Sequence, residues 1–95
     1  MVAISDGIAA LDLAKHGIRI NAICPGWVAT PMVAAALEGN EMLSKMIGSS
    51  VPMSRVAQPE EIADVVLFMT SPRSSYVTGS AWIVDGGTTL TLKAV

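Results

Sequence analysis

Charge is scarce in this 95-residue sequence: Asp, Glu, Lys and Arg make up 15% of it and sum to a net charge of −2. A chain without a basic excess lacks the electrostatic footprint of a nucleic-acid binder, so no nucleic-acid partner is expected. The lone cysteine, Cys24, excludes an internal disulfide and a cysteine metal cluster. A reducing, cytoplasmic compartment is the default for such usage. Long apolar runs are missing as well. A spanning helix needs about 20 mostly apolar residues in succession. Here Asp6, Asp12, Lys15, His16 and Arg19 interrupt the first third, and Pro25, Pro31, Pro52, Pro59 and Pro72 break up the rest. No membrane association is expected, and no basic stretch, apolar core and cleavage site of a secretory signal open the sequence.

What is abundant is apolar: hydrophobic residues form 52% of the chain, and the mean hydropathy is +0.55. Small domains have a high ratio of surface to volume and need polar residues to cover it. The surplus is therefore expected to be buried against something else, either an absent segment or a partner chain.

Residues 2–16 carry a helical pattern. Ile4, Ile8 and Leu11 fall on one face, and a row of small residues, Ala3, Gly7, Ala10 and Ala14, runs beside them. Lys15 and His16 suit the negative end of the helix dipole, and Gly17 suits the C′ position. No capping side chain precedes the helix, which suggests a pattern entered midway. Residues 18–24 are β-branched and apolar, as in a short strand buried on both faces of a parallel sheet. Residues 32–48 hold two weaker helical patterns, 32–37 and 41–47, separated by Gly39-Asn40. Pro59, Glu60 and Glu61 open a further helix over 60–71, with Ile62, Val65, Val66 and Met69 as its apolar stripe. A second short strand is expected over 81–84, then a turn at Asp85-Gly86-Gly87 and a tail. Strands alternating with helices point to an α/β layer with parallel strands. Two such strands do not make a stable sheet alone, so the architecture reads as incomplete.

The run Gly17-Ile18-Arg19-Ile20-Asn21-Ala22-Ile23-Cys24-Pro25-Gly26-Trp27-Val28-Ala29-Thr30-Pro31-Met32 resembles the GIRVN-x-(I/V)-x-PG-x-(I/V)-x-T segment of short-chain dehydrogenases/reductases. Arg55 with Pro59-Glu60-Glu61-Ile62-Ala63 resembles that family's R-x-x-x-PEEIA stretch. Tyr76-Val77-Thr78-Gly79 and Val84-Asp85-Gly86-Gly87 resemble its closing YVTG and VDGG signatures. The three lie in the family's order and cover essentially all of residues 1–95. The resemblance implies the C-terminal part of a Rossmann-type doubly wound parallel sheet, its last two strands and flanking helices. It also implies an NAD(P)-dependent oxidoreductase that interconverts an alcohol and a carbonyl.

Ligands of open α/β sheets bind beyond the carboxyl ends of the strands, which is where residues 25–30 leave the first strand. By resemblance, Pro25, Gly26, Val28 and Thr30 hold the nicotinamide end of NAD or NADP. Gly26 would allow close backbone approach, and Thr30 offers a donor and an acceptor. On the residues alone, a Pro-Gly strand end followed by a helix starting at Thr30 is the favoured reading, and the resemblance reverses it. By resemblance, 32–48 is a substrate cover, with Trp27 and Met32 as candidate substrate contacts; the residues alone fit an ordinary pair of surface helices over 32–48 as well, and Trp27 also suits packing at a strand end. His16 reads as a helix-end residue and Cys24 as a small hydrophobe. No metal-ligand spacing joins Asp6, Asp12, Glu60 and Asp64.

The family's proton shuttle is a Tyr-x-x-x-Lys. The single tyrosine here, Tyr76, is followed four residues on by Ser80. No two of the eight glycines form a Gly-x-Gly, so the backbone cradle for a pyrophosphate is absent. No catalytic residue is assigned, and the chain by itself is expected to be inactive. Small-molecule substrate handling belongs to the parent enzyme. Homo-oligomerisation, or association with a complementary or full-length chain, is the expected partnership, and the small-residue row of the first helix is one candidate surface. A non-functional remnant is the remaining alternative.

Overall fold

The computed structural model describes residues 4–93, with side chains described over 7–90. The chain forms two compact units. One comprises the residues through Cys24 together with Ala63–Ile83; the other comprises Pro25–Ile62 together with the residues from Val84 onward. The element order is α1 (Ile4–Ala14), β1 (Ala22–Pro25), α2 (Pro31–Leu37), α3 (Glu41–Ser50), α4 (Pro59–Thr70), a 3-10 turn (Pro72–Ser74), β2 (Ala81–Val84) and α5 (Thr88–Lys93). It is an α/β arrangement in which β1 and β2 form a two-stranded sheet. Ala22 N–H donates to Ser80 C=O at 2.9 Å and Gly26 N–H to Val84 C=O at 3.0 Å, so the register advances in the same direction on both strands. The strands are parallel.

α1 stops through a paired turn. Ile18 N–H donates to Leu13 C=O and Gly17 N–H to Ala14 C=O, with Gly17 at φ +75°. This is the Schellman arrangement, which a glycine at C′ permits because it lacks a Cβ. It places His16 at the helix end, although the regular helix closes at Ala14; residues 2 and 3 of the expected helix lie outside the described residues. The apolar residues of α1 are unequally buried. Ile8 and Leu11 are 56% and 79% exposed, whereas Ala10 of the small-residue row is 3% exposed and sits beside Gly79. Within that row Ala10 packs inside the chain while Ala14 is exposed, and Ile8 and Leu11 lie on the outward surface.

The strand expected over 18–24 is shorter and less buried. Ile18 is consumed by the Schellman turn, and Ile20 N–H donates to the Thr78 hydroxyl at 3.1 Å. Regular pairing therefore starts at Ala22. Ala22, Ile23 and Cys24 are half-buried, and Ile83 of β2 is exposed, so neither strand is covered on both faces.

The Arg19 guanidinium closes the far end of α4. It donates to the carbonyls of Met69 (3.0 Å), Ser71 (3.2 Å) and Val77 (3.1 Å). A cation over terminal helix carbonyls satisfies orphan acceptors and opposes the dipole. Asn21 works beside it, donating from Nδ2 to Val77 C=O and accepting Ser80 N–H, each at 3.0 Å. The buried Ser74 hydroxyl lies among the carbonyls of Phe68, Met69 and Ser71, and Phe68 stacks obliquely on Trp82 with ring centroids 5.7 Å apart.

The expected tail is helical. Asp85 accepts Gly87 N–H and Thr89 N–H, each at 2.9 Å, and the Thr89 hydroxyl also donates to its carboxylate. The Thr88 hydroxyl donates to Asp85 C=O at 2.8 Å. One carboxylate thus organises the turn and starts α5. Among the described residues, the buried apolar set is Ala10, Ile47, Val51 and Met69, and no helix is long and apolar enough to cross a membrane.

Candidate functional site

The segment leaving β1 is fixed by backbone chemistry in the unit that contains it. Gly26 lies against the chain beyond β2: an added Cβ would meet Asp85 Cβ at 2.8 Å and Asp85 Cα at 3.0 Å. The glycine is thus required by close packing on Asp85, a different reason from the one its sequence context suggests. Further on, Val28 forms an isolated parallel bridge with Ala57. Ala57 N–H donates to Trp27 C=O and Ala29 N–H donates to Ala57 C=O, both at 2.8 Å. In a parallel bridge made this way, the central residue points its own N–H and C=O to the opposite side. Val28 therefore directs an amide N–H away from Ala57, and its C=O accepts Thr30 N–H at 2.8 Å.

Thr30 caps α2. Its hydroxyl oxygen accepts Val33 N–H at 3.3 Å, and Pro31 occupies the first helical position. A hydroxyl that accepts at a cap still holds its own proton for donation. Val28 N–H and Thr30 O–H thus lie two residues apart, Val28 half-buried and Thr30 exposed, with the Val28 carbonyl between them. A primary amide has a carbonyl acceptor and an NH₂ donor, and this set offers complementary groups for both. On these observations the residues present fit a carboxamide.

α2 and α3 follow. Gly39, at φ +77°, separates them, and Asn40 caps α3 by accepting Leu43 N–H at 3.0 Å. Ile47 is buried, while Met32, Met42 and Met46 are 81%, 81% and 58% exposed. Trp27 lines a hollow of about 100 Å³ with Val51, Met53, Arg55, Glu61 and Asp85. Met32 is not among its walls, so the two candidate substrate contacts are not brought together around that hollow.

Its rim holds an ion pair to which the sequence alone assigned no role. Arg55 Nη1 and Nη2 donate to Glu61 Oε1 and Oε2 at 2.6 and 2.8 Å. Glu61 also accepts Gln58 N–H at 2.9 Å. That reach back from the third helical position is one half of a capping box, and the Gln58-Pro59-Glu60-Glu61 spacing was the signal for it. Arg55 and Gln58 together hold the Glu61 carboxyl down at about 2, the guanidinium contributing most. Asp85 is also held below the usual carboxylate range, first by the Thr89 hydroxyl and then by the amides of its turn.

Comparison with known proteins sets this geometry in context. The family model for enoyl-(acyl carrier protein) reductase matches residues 7–89. A short-chain dehydrogenase, anuF of Penicillium roqueforti, is 72% identical over 85 residues, covering 90% of this chain and 31% of the relative. Another, fogB of Aspergillus ruber, is 66% identical over 83 residues, covering 87% and 30%. Among solved structures, 4-hydroxyisoleucine dehydrogenase complexed with NADH aligns at a TM-score of 0.83 with 27% identity, over 90% of this chain and 35% of that one. YwfH, an NADPH-dependent reductase involved in bacilysin biosynthesis, aligns at 0.77 with 33% identity, over 88% and 35%. The chain spans about a third of the length of the curated relatives it matches.

Proposed function

The chain belongs to the short-chain dehydrogenase/reductase family, and from that premise we propose that it is the nicotinamide-side third of an NAD(P)-dependent oxidoreductase acting on an alcohol or carbonyl. Pro25, Gly26, Val28 and Thr30 form the cofactor-contact loop. Val28 N–H and the Thr30 hydroxyl hold the carboxamide, which fixes the face the ring presents. Pro25 and Gly26 carry the chain off β1 and set where Val28 stands. Trp27 and Met32 are the substrate-side residues, and α2 and α3 form the cover. When bound, the dinucleotide supplies or accepts the hydride. The single observation that carries this reading is the outward-directed Val28 amide beside a hydroxyl whose proton is unspent.

Turnover needs groups beyond these residues. Tyr76 is fully exposed and has no lysine four residues on, and no Gly-x-Gly is present for a pyrophosphate. We therefore expect the purified 95-residue chain to oxidise neither NADH nor NADPH, and to bind either dinucleotide far more weakly than its longer relatives. Steady-state oxidation by the chain, free of companion protein, would sink that expectation. The loop assignment is tested by adding nicotinamide mononucleotide at millimolar concentration and recording amide resonances. Shifts centred on residues 27–30 support it; shifts elsewhere, or none, reject it.

The exposed apolar residues favour association. Ile8 and Leu11 on α1, and Val66 and Leu67 on α4, face outward. A second copy, or a chain carrying the remainder of the family's sheet, is the partner of matching chemistry. A cytoplasmic location follows the single-cysteine composition.

A further inference from the structure

The Arg55–Glu61 pair is well formed yet exposed, with side chains 48% and 43% accessible. Exposed ion pairs contribute little to stability. Its geometry instead points to position. The two parallel hydrogen bonds fix the guanidinium and carboxylate in one plane. Arg55 Nη1 also donates to Val56 C=O at 3.3 Å, and Glu61 holds Gln58 N–H. The residues on both sides of Ala57 are therefore gripped by one pair, and Ala57 is left with its N–H and C=O aimed at Trp27 and Ala29. Those two peptides flank Val28.

We propose that Arg55 and Glu61 are positioning residues: they clamp residues 56–58 so that the Ala57 bridge sets the direction of the Val28 amide in the loop that follows β1. The proposal deepens the reading of that loop as the carboxamide contact and rests on it for its purpose. The clamp itself is a statement about geometry. It assigns to the pair an effect on loop order with little effect on overall stability, a separation that a structural salt bridge would not produce.

Amide hydrogen exchange on the full 95-residue chain tests it. Ala29 and Ala57 report the bridge; Ala22 and Gly79, which donate to Ser80 C=O and Ile20 C=O, report the other unit. Arg55→Gln should lower protection at Ala29 and Ala57 about fivefold while Ala22 and Gly79 stay within about twofold. Arg55→Lys, which keeps the charge but not the two-point geometry, should fall between the native chain and Arg55→Gln. Equal loss at all four amides, no loss at Ala29 and Ala57, or no protection there in the native chain would each overturn the clamp. The nicotinamide mononucleotide titration is read separately. If Arg55→Gln loosens the bridge while the mononucleotide moves no resonance in 27–30, the clamp stands and the carboxamide reading falls.

Discussion

Single residues in this chain work through specific partners, some far away in sequence and some only a few residues off. Gly26 is the sharpest steric case. Its missing Cβ leaves room for Asp85, and Gly26→Ala should cost about 1–3 kcal/mol because neither backbone can yield freely. Urea unfolding of the two proteins side by side measures it; an unchanged midpoint would show that the close approach is not maintained. Glu61 makes a prediction about acid. Its carboxyl is lowered from 4.5 to about 2 by Arg55 and Gln58. A depressed carboxyl contributes stability that is present above the unfolded value and lost as pH falls through the folded one. The Tm advantage of the native chain over Glu61→Gln should thus be present above pH 4.5 and shrink as the pH is taken down to about 2. Because both side chains are exposed, the advantage is small throughout. Little of this was legible beforehand. The R-x-x-x-PEE spacing marked a helix start, but a guanidinium six residues before Glu61 does not declare which carboxylate it will grip.

Elements were more legible where their ends are written locally. Gly17 after Lys15-His16 marks the α1 stop, and the Schellman bonds form there. Thr30-Pro31 and Asn40-Glu41 mark the starts of α2 and α3, and both caps are made. Where an end depends on a distant group, local pattern misled. The strand over 18–24 is curtailed because the Thr78 hydroxyl and Val77 carbonyl draw Ile20 and Asn21 into a side-chain network. The tail becomes α5 for a local reason that its Thr-rich segment does not advertise: the Asp85 carboxylate accepts the Gly87 and Thr89 amides. Asp85→Ala should therefore cost about 1 kcal/mol, as loss of a helix cap does, with exchange at Thr89 speeding up first. Arg19 joins the end of α4 to the segment before β2. Arg19→Leu leaves three carbonyls without their charged donor, and a loss of about 1.5–3 kcal/mol is expected. Denaturant titration checks it, and a loss well under 0.5 kcal/mol, the level of a neutral surface change, would contradict the capping role.

For the whole molecule, the apolar surplus of the sequence reappears as exposed Ile8, Leu11, Trp27, Met32, Leu67 and Ile83. Composition announced that surplus but not its address. The stripe Ile4, Ile8, Leu11 did not say which residue of α1 would be enclosed; it is the small Ala10, which fits beside Gly79, while Ile8 and Leu11 are exposed. Leu11→Lys should then leave stability within about 0.5 kcal/mol, as for surface positions in general, while reducing self-association in sedimentation velocity. A Leu11→Lys chain that unfolds, or one that associates as before, would place the interface elsewhere.

The parallel pairing of β1 and β2 also has a kinetic side. The hydrogen bonds that tie residues 19–21 to 77–80 join positions 56 to 59 apart in a chain of 95. Closing so long a loop spends chain entropy before any ladder bond rewards it. During synthesis the first strand must wait for nearly all of the following helices before its neighbour exists. Folding in the millisecond-to-second range, slower than a helical bundle of equal length, is the expected tempo.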